Sequence, residues 1–123
     1  MKFNIPGRLP GTNEIIDAAK QKARNYKAYA VMKATYTELV AWLAKRLPKY
    51  QKIDITIIWY EENEKRDPDN IIGGQKFIFD GLVRAGVIQN DTRKYIGEIV
   101  HRFETDRKCP RVEVDIEGVL EDE

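Results

Sequence analysis

Ile53-Asp54-Ile55-Thr56-Ile57-Ile58-Trp59-Tyr60 places Ile53, Ile55, Ile57 and Trp59 in alternation with Asp54, Thr56, Ile58 and Tyr60, so residues 52–61 read as a strand with at least one buried face. A charged loop, Glu61 to Arg66, follows it and leads into Asp67-Pro68-Asp69-Asn70. Proline fits the first turn of a helix and forces the residue before it toward extended geometry, so a helix is expected to begin at Asp67–Asp69. It runs to about Ala85, with Gly86 as its natural stop. Strand, charged loop and helix therefore meet at a pair of carboxylates.

Toward the N-terminus, residues 2–6 read as a short strand, followed by a loop punctuated by Pro6, Gly7, Pro10 and Gly11. Thr12 or Asn13 then caps a helix. Tyr29, Met32, Tyr36, Leu39, Val40, Leu43 and Leu47 recur at three- and four-residue spacing up to Pro48, the mark of one buried face. Such a segment exceeds the usual globular helix, and Lys22-Ala23-Arg24-Asn25 is where it is expected to divide. Toward the C-terminus, Tyr95–Phe103 and Arg111–Ile116 read as strands joined through 104–110 into a hairpin. Within the helix after Pro68, Gly73-Gly74 should cost about 1 kcal/mol per glycine relative to alanine, so close approach of a DNA strand or a partner helix is expected there.

The 123 residues suit a single domain, 1–123, that buries a core without metal or disulfide staples. No run approaches the roughly 18 apolar residues of a membrane span, residues 1–6 are too soon interrupted by proline for a signal-peptide core, and Cys109 has no second cysteine to pair with. A cytoplasmic protein with no membrane partner is the expectation. The net charge of +1 conceals segregation. Residues 20–52 carry nine basic side chains against Glu38 alone, a net of +8, whereas 113–123 carry six acids and no base. A basic half fits phosphate binding through counterion release, and it equally fits a solvated lysine-rich helix face. The acidic end, 118–123, is a candidate disordered tail.

Asp67 in an extended position and Asp69 in the first helical turn can aim their carboxylates at one point, and Mg²⁺ takes one or two carboxylates together with phosphate oxygens. Lys76, seven residues on, returns to within roughly 20° of the same face about 10 Å along the axis. Asp91 becomes a third ligand if the helix is followed by a strand that runs back beside it. The same Asp-Pro-Asp-Asn string is also a good helix cap. Asp80 is placed to pair with Lys76 at i,i+4 and lies too far from Asp69 to share an ion. His101 is alone and reads as a packing or surface residue, and Cys109 lacks the company a zinc site or a nucleophile needs.

Ile5-Pro6 followed by Pro10-Gly11-Thr12-Asn13, then Arg66-Asp67-Pro68-Asp69-Asn70, then Lys76 through Asp80-Gly81-Leu82 to Ala85-Gly86-Val87 and Asn90-Asp91, form an ordered pattern along nearly the whole chain. In this pattern the chain resembles the RusA-type endonucleases that resolve Holliday junctions, many of them carried by prophages. The resemblance implies an α+β fold with a small mixed four-stranded sheet packed against helices, a homodimer, and Mg²⁺-dependent paired nicking of four-way junction DNA, with Mn²⁺ as a possible substitute. It implies that Asp67, Asp69 and Asp91 hold the metal and that Lys76 joins them in catalysis. Arg24, Lys27, Lys33, Arg66, Asn70 and Lys76 are the expected DNA contacts, with Tyr26 and Tyr29 interleaved. Two departures from the family stand out: the stretch from Asp69 to Lys76 is three residues longer than in its best-known member, and Asn90 occupies a position where an acidic pair is common. Competing readings are a non-catalytic junction-binding module, a looser flap nuclease and, more remotely, a sugar transferase or phosphatase with an Asp-x-Asp site.

Overall fold

The computed structural model describes residues 1–20 and 27–121. Strand β1 (Lys2–Pro6) is followed by α1 (Thr12–Lys20), α2 (Lys27–Ala44), β2 (Tyr50–Glu61), a short helix α3 (Pro68–Ile71), a 3₁₀ turn (Ile72–Gly74), α4 (Gln75–Arg84), β3 (Ile96–Thr105) and β4 (Arg111–Leu120). The expected division of the long helical segment at 22–25 lies outside the described residues. The fold is α+β. No helix among the described residues is long and apolar enough to cross a membrane.

The four strands form one mixed sheet in the order β1-β4-β2-β3, with β2 parallel to β3 and antiparallel to β4, and β1 antiparallel to β4. The expected β3–β4 hairpin is not formed. The two strands lie on opposite sides of β2, because β2 and β3 are joined through a helical crossover, as a parallel pair requires, leaving the other edge of β2 for β4. The connection from β3 to β4 spans the end of β2: the Asp106 N–H donates to the Glu61 carbonyl (2.7 Å), and Asp106 accepts from Arg111 Nη1 (2.8 Å) and from the Lys108 and Cys109 amides (both 3.1 Å). The Arg111 hydrogen bond leads in holding the partly exposed Asp106 carboxyl below the usual carboxylate range. Of the segment 118–123 expected as a disordered tail, Gly118, Val119 and Leu120 instead continue β4 opposite Ile53, Lys52 and Tyr50, and 122–123 lie outside the described residues.

Alternation along β2 decides which face is covered. Ile53, Ile55, Ile57 and Trp59 are all buried, and their neighbours Val112, Val114 and Ile116 on β4 and Phe3 and Ile5 on β1 extend the same layer. Val40, Ala44, Ile78, Phe79 and Leu82 from α2 and α4 close over it. The opposite face presents polar residues such as Asp54, Thr56, Glu98 and Asp115. Helix α4 stops where expected: Gly86 takes φ 78°, its N–H donates to the Val83 carbonyl (3.0 Å), and the Val87 N–H reaches the Leu82 carbonyl (2.9 Å).

Close approach to Gly73-Gly74 is real, and its source is this chain rather than DNA or a partner helix. A Cβ on Gly73 would fall on the backbone and hydroxyl of Thr12, and one on Gly74 would crowd Leu9, Pro10 and Trp59. The loop after β1 thus packs on the 3₁₀ turn, which accounts for two poor helix formers in a helical region. Farther along, Gly81 lets α4 touch α2, because a Cβ there would fall on the Val40 side chain. Overpacking of this kind costs about 1–3 kcal/mol, so Gly81→Ala should lower the unfolding free energy by that amount in denaturant titration, while Gly86→Asn, at a position asparagine tolerates, should cost less.

Candidate functional site

The charged loop between β2 and α3 is fixed by a buried ion pair. Glu61 occupies the next inward-facing position after Ile57 and Trp59 and is the one buried charged residue among those described (7 % exposed). Arg66 meets it in a two-pronged arrangement, Nε donating to Oε1 and Nη2 to Oε2, each at 2.7 Å. Arg66 Nη1 also donates to the Leu9 carbonyl (3.1 Å) and lies 3.4 Å from Glu14 of α1. The Glu61 hydrogen bond raises the guanidinium pKa above its already high ordinary value. The expectation that Arg66 contacts DNA does not fit this geometry. Its donors are engaged within the fold, and it positions the residue that follows it.

That residue is Asp67. Its backbone is extended (φ −70°, ψ 150°), as the following proline dictates, and it stands at the cap position of α3 without making a side-chain cap hydrogen bond. The carboxylate is exposed and free of the capping role that the bare motif also allowed. Asp69, in the first turn, is exposed as well and accepts the Asn70 amide (3.0 Å). Asn70 turns its own side chain toward α1, where Oδ1 accepts the Asn13 N–H (2.9 Å), and Thr12 Oγ1 donates to the Asp69 carbonyl (3.3 Å). Here too an expected DNA contact is used by the fold itself, since Asn70 caps a helix 57 positions earlier in the chain.

Lys76 is the second residue of α4 and pairs with Asp80 at 3.6 Å, as the i,i+4 spacing predicts. The intervening 3₁₀ turn advances the chain by about 120° and 2 Å per residue, so Lys76 sits roughly 12 Å along the axis from Asp69 and within about 40° of its face. Lys33 is exposed on α2, and so is Lys27. Arg24 and Tyr26 lie outside the described residues.

Asp91 is placed differently. The helix is followed by a strand that runs back beside it, but Asp91 precedes that strand, in the turn where Tyr95 and Ile96 both donate to the Thr92 carbonyl (2.9 and 3.0 Å). This turn adjoins the beginning of β2, where Ile53 pairs with Ile96, whereas Asp67 and Asp69 follow the end of β2, where Glu61 pairs with Thr105. Eight residues of strand separate those ends, roughly 25 Å. Among the described residues no group of three or more His, Cys, Asp and Glu side chains is arranged to hold a metal ion. Within one chain the pair Asp67 and Asp69 offers hard oxygen donors suited to Mg²⁺, which is satisfied by two carboxylates when phosphate and water complete its shell. Asp91 does not join them there.

Sequence reasoning treats Glu61 as loop and overlooks Gln75. An acid in phase with Ile57 and Trp59 is the available signal for a buried partner. His101 proves to be a packing residue with a polar role: Trp59 Nε1–H donates to Nδ1 (2.9 Å), which leaves Nε2 to donate to Gln75 Oε1 (3.0 Å). His101 stacks on Trp59 and Phe103, and burial lowers its pKa.

No protein-family model matches this chain, and no curated protein matches it.

Two outcomes follow from these contacts. Arg66→Met should destabilise the fold by about 3 kcal/mol because it strands a buried carboxylate, a loss that Glu61→Gln in the same chain should partly recover in thermal melts. Because the folded pKa of His101 lies below its ordinary 6.5, the unfolded chain takes up its proton first. Stability should therefore fall as pH drops below about 6.5, and the fall should shrink in His101→Gln when melts at about pH 7.5 and about pH 5.5 are compared.

Proposed function

We propose that the protein is a metal-dependent endonuclease that hydrolyses phosphodiesters in branched DNA, with the four-way junction as its principal substrate, in the manner of the RusA-type endonucleases it resembles. The observation that carries this reading is the pair of exposed carboxylates, Asp67 and Asp69, held at the start of a helix by a buried Arg66–Glu61 ion pair and left with no capping role at Asp67. A protein that used this motif only as a helix cap would engage Asp67 with the free amides of α3. The mixed four-stranded sheet under helices is compatible with the same family.

Asp67 and Asp69 would hold Mg²⁺, or Mn²⁺ in its place. Such an ion, when bound beside a phosphate, lowers the pKa of a bound water and offsets charge on the leaving oxygen. Lys76 contributes a positive charge to the phosphate at the cleavage point, and Asp80, 3.6 Å from its ammonium, holds it in place. Lys27 and Lys33, exposed on α2, supply sequence-independent attraction to the arms. Arg66 and Asn70 act through the loop they brace. A four-way junction has two equivalent strands, and a two-fold homodimer presents one site to each.

The test is cleavage of a synthetic four-way junction beside a linear duplex of the same sequence. Mg²⁺ should give symmetric nicks confined to the junction, EDTA should abolish them, and Asp69→Asn should slow nicking by roughly 100-fold or more. Junction binding without nicks under Mg²⁺ and Mn²⁺ would return the protein to the DNA-binding modules.

A further inference from the structure

Two hydrogen bonds run from the buried floor of the sheet to the start of α4. Trp59, fully buried on β2, donates its indole N–H to Nδ1 of His101 on β3 (2.9 Å). An indole only donates, so the neutral imidazole carries its proton on Nε2 and gives it to Gln75 Oε1 (3.0 Å). Gln75 is the first residue of α4 and Lys76 the second. We infer that the relay Trp59–His101–Gln75 positions Lys76, fixing the rotation of α4 so that the lysine faces the same side as Asp67 and Asp69. What Lys76 then does rests on the nuclease reading, whereas the hold on the helix does not.

The start of α4 needs such a device. A 3₁₀ turn separates it from α3, and each 3₁₀ residue advances about 120° where an α-helical one advances about 100°, so α3 alone does not set the phase of α4. Gly74, at the cap position of α4, supplies no side-chain hydrogen bond. It is seated instead on the Trp59 ring, where a Cβ would come within 3.2 Å of the indole Cζ3. One aromatic side chain therefore touches the 3₁₀ turn directly and, through His101, holds the next residue as well. The imidazole is itself braced, stacked against Trp59 and Phe103 at centroid distances of 6.0 and 6.4 Å. Neighbouring positions of a helix turn together, so a rotation of α4 that broke the Gln75 contact would swing Lys76 through the same angle. The Lys76–Asp80 pair cannot replace this hold, because both of its members ride on α4. Successive inward-facing residues of β2 thus serve the two halves of the site: Glu61, through Arg66, sets the acids, and Trp59, through His101 and Gln75, sets the lysine.

Gln75→Met keeps the length of the side chain and removes the acceptor, and His101→Phe keeps a ring and removes both hydrogen bonds. In single-turnover nicking of a four-way junction with Mg²⁺ and saturating protein, each should lower the rate about 10-fold while junction affinity stays unchanged. In a Lys76→Ala background Gln75→Met should change the residual rate by less than about 2-fold, since no ammonium is left to aim. Hydrogen exchange reads the same hold without activity: the Gln75, Lys76 and Phe77 amides should exchange about 5-fold faster in Gln75→Met, the share of one lost hydrogen bond, with the amides of α2 unaffected. Full nicking by either variant, a slowing that comes wholly from weaker binding, a slowing as large in the Lys76→Ala background, or unchanged exchange at 75–77 would overturn the relay and leave the nuclease reading standing. If the unchanged protein nicks no branched DNA, the nuclease reading falls, and the exchange result alone decides whether Trp59 and His101 hold the start of α4.

Discussion

One guanidinium joins three parts of the chain at a single point. Arg66 is clamped by Glu61 at the end of β2, by the Leu9 carbonyl in the loop after β1, and by Glu14 on α1. Each partner alone would leave the acidic loop a swinging connection. Together they set where α3 begins, hence where Asp67 and Asp69 point, and they press the 7–12 loop onto the 3₁₀ turn where Gly73 and Gly74 admit it. A buried pair of this kind contributes less net stability than its short contacts suggest, because both ions were desolvated to make it. Its value lies in fixing one arrangement of the loop.

The strands and helices near this clamp were legible because their signals are local. The alternation over 52–61, Pro68 at the start of a helix and Gly86 at its end each reflect a steric rule that acts within a few residues, and the structure obeys all three. The i,i+4 pairing of Lys76 with Asp80 is equally local. What sequence could not supply was partnership over distance. Two strands with a seven-residue gap between them look like a hairpin, and only the competition for the edges of β2 reveals that they flank it. Arg66 and Asn70 look like ligands for DNA because motifs do not show which side chains the fold itself consumes. Gly73-Gly74 announced a close neighbour correctly and could not say that the neighbour was Thr12.

The acids illustrate the same limit from the other side. Asp67 and Asp69 flank Pro68 at the start of α3, and their nearness follows from two positions of sequence alone. Asp91 lies beyond a helix and a turn, and its position depends on which way the crossover delivers the chain to β3, a property of the sheet and not of the motif. Polar satisfaction around Trp59 was likewise invisible, although an indole buried on a strand must give its proton to something, and His101 is the acceptor.

The order of the strands also governs when this chain can fold. Among the described residues β1 has a single partner, β4, and pairs Phe3 with Val114 at the opposite end of the described chain. During synthesis, then, β1 leaves the ribosome well before β4, its one partner among the described strands, and the central strand β2 stands with one open edge until β4 follows. Helices and the β2-to-β3 crossover can assemble early, since their contacts are nearer in sequence, yet the apolar face of Phe3 and Ile5 has no sheet to join before Val112, Val114 and Ile116 arrive. The nascent chain is thus obliged to carry β1 unpaired and half-apolar until β4 has been made, a period in which chaperone capture of that segment competes with misassembly between neighbouring chains.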